Sequence, residues 1–328
     1  MNRRTFLRRT ALAGTVGLGL TAWHQRHVLA EPPPETTRIR LSRYSVDIAC
    51  VAPQWVAEEL LREEGFTRVE YTLATALEML AAGRQDILLV DAPGAILALD
   101  EGTPIVVVAG IHGGCFELAG TDRVRSVLDL RGRRVAVANS GRHAFVAAMA
   151  SYVGLDPRKD ITFVLAPEAK QLFIEGKVDA VLGFPPEPQE LRAKKIGRTV
   201  VNTALDRPWS QYFCCFAAAN RDFVRKHPVA TKRALRAVIK ATDICAADPE
   251  RVVRQLVDRG YLKEYDYSLQ ALREIPYRRW REYDSADTIR FLALRLHEAG
   301  VINSSPQKLI AQGTDWRFVN ELKKELKS

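Results

Sequence analysis

Five consecutive residues, Asn139-Ser140-Gly141-Arg142-His143, bring together a hydroxyl, a flexible backbone, a fixed positive charge and an imidazole. They follow the β-type run 134–138 and lead into the helical pattern 142–153. Unused backbone N–H groups, the Ser140 hydroxyl and the Arg142 guanidinium can therefore converge on an anionic group. The plain structural role of the same loop is a helix cap by Asn139 or Ser140, with Arg142 in solvent. Three more loops offer ligand groups. Tyr44-Ser45-Val46-Asp47 supplies a ring and a hydroxyl. Asp91-Ala92-Pro93-Gly94 supplies a carboxylate that serves equally well as an N-cap. In Phe184-Pro185-Pro186-Glu187 two prolines stiffen an aromatic face and a carboxylate, and the same residues read as a helix start with Glu187 favouring the dipole. Trp209 and Tyr212 offer an aromatic wall, although a hinge core uses the same residue types. The expected ligand set is thus Tyr44, Ser45, Asp91, Ser140, Gly141, Arg142, His143, Phe184, Glu187 and Trp209. Arg142 asks for an anion, Asp91 and Glu187 for a cation or amine, and a zwitterion suits all three.

His112-Gly113-Gly114-Cys115 has a short, metal-like spacing, but two ligands are half a site and the segment reads as hinge structure. Cys214 and Cys215 are adjacent in a strand-like run, where neighbouring side chains point to opposite faces, which argues against a shared metal. No metal and no cofactor are expected. Five cysteines (Cys50, Cys115, Cys214, Cys215, Cys245) are an odd count in a chain of ordinary core size. A disulfide framework is not needed, and at least one thiol stays free or pairs between molecules. No Gly-x-Ser-x-Gly, P-loop or His-Glu-x-x-His occurs, so no hydrolase or nucleotide signature competes.

The elements that must position these groups alternate. Strands are expected at 38–41, 69–73, 87–90 and 105–109, with helices at 53–64, 76–82 and 93–100 between them. The pattern breaks at Gly113-Gly114. After a linking stretch through Asp129 it resumes with strands at 134–138, 161–165, 180–182 and 199–202 and helices at 142–153, 168–175 and 187–194. A β-like run at 212–219 follows, and from Asp222 onward the chain is almost wholly helical. Alternation of this kind predicts an α/β protein of two lobes, each a mostly parallel sheet flanked by helices, plus a helical C-terminal segment. The expected division is 38–118 with 213–328 for lobe I and 119–212 for lobe II. The chain crosses twice and the strand-end loops face an interlobe cleft.

The 328 residues carry 48 Lys+Arg against 39 Asp+Glu, a formal charge of +9. Five arginines and no acid fall within residues 1–30, which leaves +4 for the rest, mixed with acids along the chain; a nucleic-acid partner is therefore not expected. Residues 1–30 read as a twin-arginine signal peptide: Arg3-Arg4 before Thr5-Phe6-Leu7, a thirteen-residue uncharged run from Ala11 to Trp23, and Val28-Leu29-Ala30 ahead of a cut at Glu31. Export to the periplasm is expected, with residues 31–37, EPPPETT, as a proline-rich linker that buries nothing.

Four stretches, PQWVAEELLREEGF, GRQDILLVDAPGAILALDEGTPIVVVAG, SVLDLRGRRVAVANSG and KVDAVLGFPPEPQ, resemble in order and spacing the periplasmic solute-binding proteins of ABC importers for nitrate, sulfonates, taurine and thiamine pyrimidine precursors. The resemblance covers nearly all of residues 38–260. It implies a type II-like periplasmic-binding-protein fold, a monomeric clamp that is not an enzyme. It also implies a small organic ligand held between the lobes and an ABC permease with its ATPase as partner. The family is similar in fold to fungal pyrimidine synthases, which use a cysteine-rich segment and an early lysine carrying pyridoxal phosphate. Phe213-Cys214-Cys215-Phe216 partly echoes that segment. The first lysine of this chain is Lys159, however, which leaves the first lobe without an amine for a Schiff base.

Overall fold

The computed structural model describes residues 31–44, 47–73 and 77–326. The expected signal peptide and Ser45 lie outside these described residues. Among the described residues, alternating apolar runs form ten strands in three sheets. β1 (Arg38–Arg43) and β2 (Arg68–Leu73) pair in parallel, joined through the helix Ala52–Glu63. β3 (Ile87–Asp91) and β4 (Ile105–Gly113) flank β10 (Phe213–Asn220) in the order β3-β10-β4. The second lobe holds β5 (Glu117–Gly120), β6 (Arg133–Val137), β7 (Ile161–Leu165), β8 (Ala180–Gly183) and β9 (Arg198–Asn202) in the order β7-β6-β8-β5-β9.

The sheets are mixed rather than mostly parallel. β6 pairs in parallel with β7 and β8, as helical crossovers require. β10 runs antiparallel to both β3 and β4, and β5 runs antiparallel to both β8 and β9. Both exceptions are the strands reached directly from a crossing, where no α-helix intervenes to turn the chain back. β5 lies in what was read as a linking stretch, and β4 continues to Gly113 with all nine residues buried. The pairing of Glu117 with Gly183 and Asn202 places it in the second sheet, so a boundary after residue 118 falls inside β5.

The two crossings touch. A Cβ on Gly114 would lie 1.9 Å from the Thr203 carbonyl oxygen, so only glycine allows the two backbones this approach. Thr203 seals it by donating its N–H and its hydroxyl to the Phe116 carbonyl at 3.0 and 2.9 Å.

The helical tail covers the first lobe. Its long helix, Pro228–Ala247, packs on Ala52–Glu63, burying Leu235, Val238 and Ile239 on the facing stripe. Arg236 on that helix is buried and satisfied by carboxylates from three segments, Glu64 at 2.8 Å, Glu31 at 2.6 Å and Glu325 at 3.1 Å. The 31–37 stretch is therefore anchored rather than idle. Glu35 also accepts the Val229 and Ala230 N–H groups at 2.9 Å each, meeting orphan donors at the start of Pro228–Ala247. Among the described residues no helix is long and apolar enough to cross a membrane.

Candidate functional site

The strand-end loops meet where the lobes touch. The helix Ser140–Tyr152 begins under Asn139, whose Oδ1 accepts the Arg142 N–H at 2.9 Å, while Ser140 stays exposed. Gly141 packs against the Asp91 carboxylate from the other lobe, and a Cβ there would lie 2.5 Å from Asp91 Oδ1. Asp91 also caps the helix Ala92–Asp100, accepting the Gly94 N–H at 2.7 Å. Burial raises its carboxyl above the ordinary range, with the Gly94 N–H and the charge of Arg142 pulling the other way.

Arg142 is not in solvent. It is 6% exposed, and its Nη1 donates to Glu187 Oε2 at 2.8 Å. Its guanidinium carbon sits 4.4 Å from the centre of the Phe184 ring. The reason lies in the second lobe's own loop. Glu187, at the start of the helix Glu187–Ala193, folds back to accept the Phe184 N–H at 3.0 Å, so one carboxylate oxygen serves a backbone donor and the guanidinium together. Arg142 Nε is buried and finds no hydrogen-bond partner among the described residues.

The structure thus gathers Asp91, Gly141, Arg142, Phe184 and Glu187 of the expected ligand set. Tyr44, His143 and Trp209 have their partners elsewhere. Tyr44 donates its hydroxyl to the Leu89 carbonyl within its own lobe. His143 is half-buried and packs edge-on against Phe163 of β7, its ring centre 4.3 Å away, and burial lowers its imidazole below the usual range. Trp209 is buried edge-on against Phe145, Tyr152 and Phe291, and Tyr212 stacks on Phe291 at 4.2 Å, so both build the packing at the second crossing. A cavity of about 610 Å³ opens between that crossing and the 276–287 segment, near Gln211, Tyr212, Arg279 and Asp287. None of the expected ligand residues lines it.

A second cluster lies at the roots of the crossings. Cys50, His112, Cys115 and Cys215 are buried, and one ligand atom from each lies within 4.8 Å of the others. Cys115 Sγ also approaches Cys214 Sγ at 2.8 Å, and all five cysteines are free and buried. The half-site at His112 and Cys115 is therefore joined by two cysteines from distant segments. The expectation that Cys214 and Cys215 face apart fails for a local reason. Phe213 pairs with Gly113 and Cys215 with His112, leaving Cys214 as the extra residue of a bulge, and a bulge re-aims side chains. Burial pushes the Cys50 thiol up to about 11. Burial by itself would lower the His112 imidazole, but the Cys215 and Cys50 sulfurs raise it to about 10. The only cue to Cys50 and Cys215 in the sequence was a cysteine within each of two apolar runs.

Residues 69–252 match the family described as NMT1/THI5 like. The 4-amino-5-hydroxymethyl-2-methylpyrimidine phosphate synthases THI12 and THI5 of Saccharomyces cerevisiae are each 24% identical over 196 residues, covering 55% of this chain and 57% of theirs. The match thus spans little more than half the length of those relatives. The alkanesulfonate-binding protein SsuA from Xanthomonas axonopodis pv. citri, bound to MOPS, superposes with a TM-score of 0.69 at 19% identity, covering 88% of this chain and 99% of that one. The periplasmic nitrate-binding protein NrtA from Synechocystis PCC 6803 does so at 0.72 and 17%, covering 90% of each chain. These likenesses show the fold, the two-lobed architecture of the periplasmic solute-binding proteins.

Proposed function

This chain belongs to the NMT1/THI5-like family, and from that premise we propose that it is the periplasmic solute-binding component of an ABC import system, delivering a small organic solute to a permease and its ATPase. The observation that carries the reading is the buried Arg142, stacked on Phe184, paired with Glu187 and facing Asp91 across the lobe junction, with its Nε still unpartnered. A charged donor kept dry and incompletely used is a costly arrangement unless something else meets it. One cation beside two carboxylates fits a zwitterion of the taurine type. Its sulfonate would meet Arg142, and its ammonium would meet Glu187 and Asp91. Simple sulfonates and aminopyrimidines are the neighbouring possibilities the titration separates. We propose further that the lobes, 38–116 with 213–328 and 117–212, open about the paired crossings to admit the solute.

A synthase reading draws on the names of the yeast relatives. It lacks an early lysine: residues 38–116 of the first lobe carry none, and the first lysine of the chain, Lys159, is exposed on the second lobe and paired with Asp156. Calorimetric titration with taurine, an alkanesulfonate and an aminopyrimidine tests the transport reading. Binding of taurine, weakened about tenfold to a hundredfold in Arg142→Met, is expected from the loss of one charged hydrogen bond. Native affinity in that variant would remove Arg142 from the site. Turnover of the aminopyrimidine or its precursors, with no tight binding of any solute, would favour the enzyme.

A further inference from the structure

We propose that Cys50, His112, Cys115 and Cys215 bind one thiophilic metal ion, in the class of Zn²⁺, as a closed tetrahedral Cys3His site at the roots of the two crossings. Three observations carry it. The first is the donor set: three sulfurs and one imidazole nitrogen, all within 4.8 Å of one another, match what structural zinc sites use. Tetrahedral ligands at about 2.0–2.3 Å from a metal lie roughly 3.4–3.8 Å apart, so a contraction of about 1–1.4 Å at most closes the cluster on an ion.

The second is the imidazole. His112 Nδ1 lies 2.6 Å from the Gly113 carbonyl oxygen, which can only accept, so Nδ1 keeps its proton and Nε2 is the nitrogen left to yield its lone pair to a metal. That Nε2 is buried and without a hydrogen-bond partner among the described residues, although the ring is fully enclosed. A buried ring nitrogen set among three sulfurs, with no hydrogen-bond partner of its own, is what a metal ligand looks like before the metal arrives.

The third is the support around the ligands. The Tyr277 hydroxyl donates to the Cys50 and Ala49 carbonyls at 3.1 and 3.3 Å, and its ring meets His112 edge-on at 5.4 Å, which holds the Cys50 loop against β4. The Ala49 N–H, one residue from a ligand, donates to Pro185 of the second lobe at 3.0 Å. His112 is the last residue but one of β4 before the first crossing, Cys115 lies within that crossing, and Cys215 is the third residue of β10 just past the second. An ion here would tie together the segments about which the lobes move. With four protein ligands and no exposed face, the role is structural, not catalytic.

The test uses the full chain, reduced, stripped of metal by chelation and titrated with Co²⁺, then with Zn²⁺. Expected are one equivalent of Co²⁺ with thiolate-to-cobalt charge-transfer bands in the near ultraviolet and tetrahedral d–d bands in the visible, bleached by one equivalent of Zn²⁺. A higher melting temperature of the Zn²⁺ form should accompany them. Cys50→Ala and Cys215→Ala should lose the bands, and Cys245→Ala, whose buried sulfur lies outside the four, should keep them. The wild-type titration needs no variant to fold. A reduced wild-type chain that takes up no stoichiometric Co²⁺ overturns the proposal. So do bands that persist in both Cys50→Ala and Cys215→Ala, or a Cys115–Cys214 disulfide in the native protein, which would remove Cys115 from the set.

Discussion

The two polar clusters at the lobe junction solve the same problem in opposite ways. Around Arg142 the charge is answered from within its own lobe, by Glu187 and by the face of Phe184, and the other lobe contributes only Asp91 against Gly141. Around His112 no carboxylate or guanidinium is present, and the four groups come from the 49–51 turn, β4, the first crossing and β10. The first cluster is expensive to bury and cheap to open, because its ion pair survives separation of the lobes. The second is cheap to bury, since thiols behave as small apolar groups, but it is assembled from distant segments and depends on all of them staying in place. A ligand site that must exchange partners suits the first arrangement, and a site that must not move suits the second.

The comparison is most readily broken at Glu187. Replacing it with alanine leaves Arg142 buried without its carboxylate, and stability to urea should fall by about 2–4 kcal/mol, discounted for the partial exposure of Glu187. The double variant Arg142→Met, Glu187→Leu should regain most of that loss. If the single variant is as stable as wild type, the pair is already solvated and the contrast between the clusters collapses. A smaller effect is expected at Gly141→Ala, where the new Cβ collides with the Asp91 carboxylate across the junction. Crowding of this kind costs about 1–3 kcal/mol, and the lobes can escape it by parting. Scattering should then show a larger radius of gyration with little loss in melting temperature. An unchanged radius with a lowered melting temperature would mean the junction does not open.

On the thiol side, Cys50→Ala in metal-free protein removes one buried sulfur and should cost only about 1 kcal/mol. A much larger loss without metal would show that the cluster is held by more than packing. The smallest effect concerns pH. Burial raises the Asp91 carboxyl above its unfolded value, so the neutral form is favoured on folding. Its contribution is fully present below the unfolded pKa and fades as pH rises through the raised one. Asp91→Asn keeps the cap on Gly94 and removes the titration, so its melting temperature should depend less on pH over that window. Parallel slopes for variant and wild type would place the pH dependence elsewhere.

Much of the architecture was legible because it is local. Apolar runs, Gly65 and Gly83 at helix ends, and an Asn or Asp ahead of a helical pattern mark elements whose hydrogen bonds close within a few residues. Asn139 and Asp91 do cap the helices that follow them. The place of Arg142 in a strand-to-helix loop was legible, but its burial was not, because the partner that makes burial tolerable sits 45 residues away in another loop. The loop sequence likewise does not say whether Asn139 or Ser140 turns toward the helix, and the fold gives the cap to Asn139 and leaves Ser140 exposed. The strands β5 and β10 show the same limit. They were either missed or assumed parallel, because pairing direction depends on where the chain comes from, not on the residues of the strand.

By itself, then, the order of residues determined the alternation of strands and helices, the helix starts and the positions of the loops between them, all set by short-range periodicity and capping. It also placed His112 next to Cys115 and Cys214 next to Cys215. Only the tertiary structure decided that β10 inserts between β3 and β4, that a bulge at Cys214 turns both thiols toward Cys115, and that Cys50 arrives from the first loop to complete the set. The physical reason is that a side chain's direction in a strand follows from register, and register is fixed by the packing of whole sheets, whose energy is spread over many residues rather than carried by the four that meet.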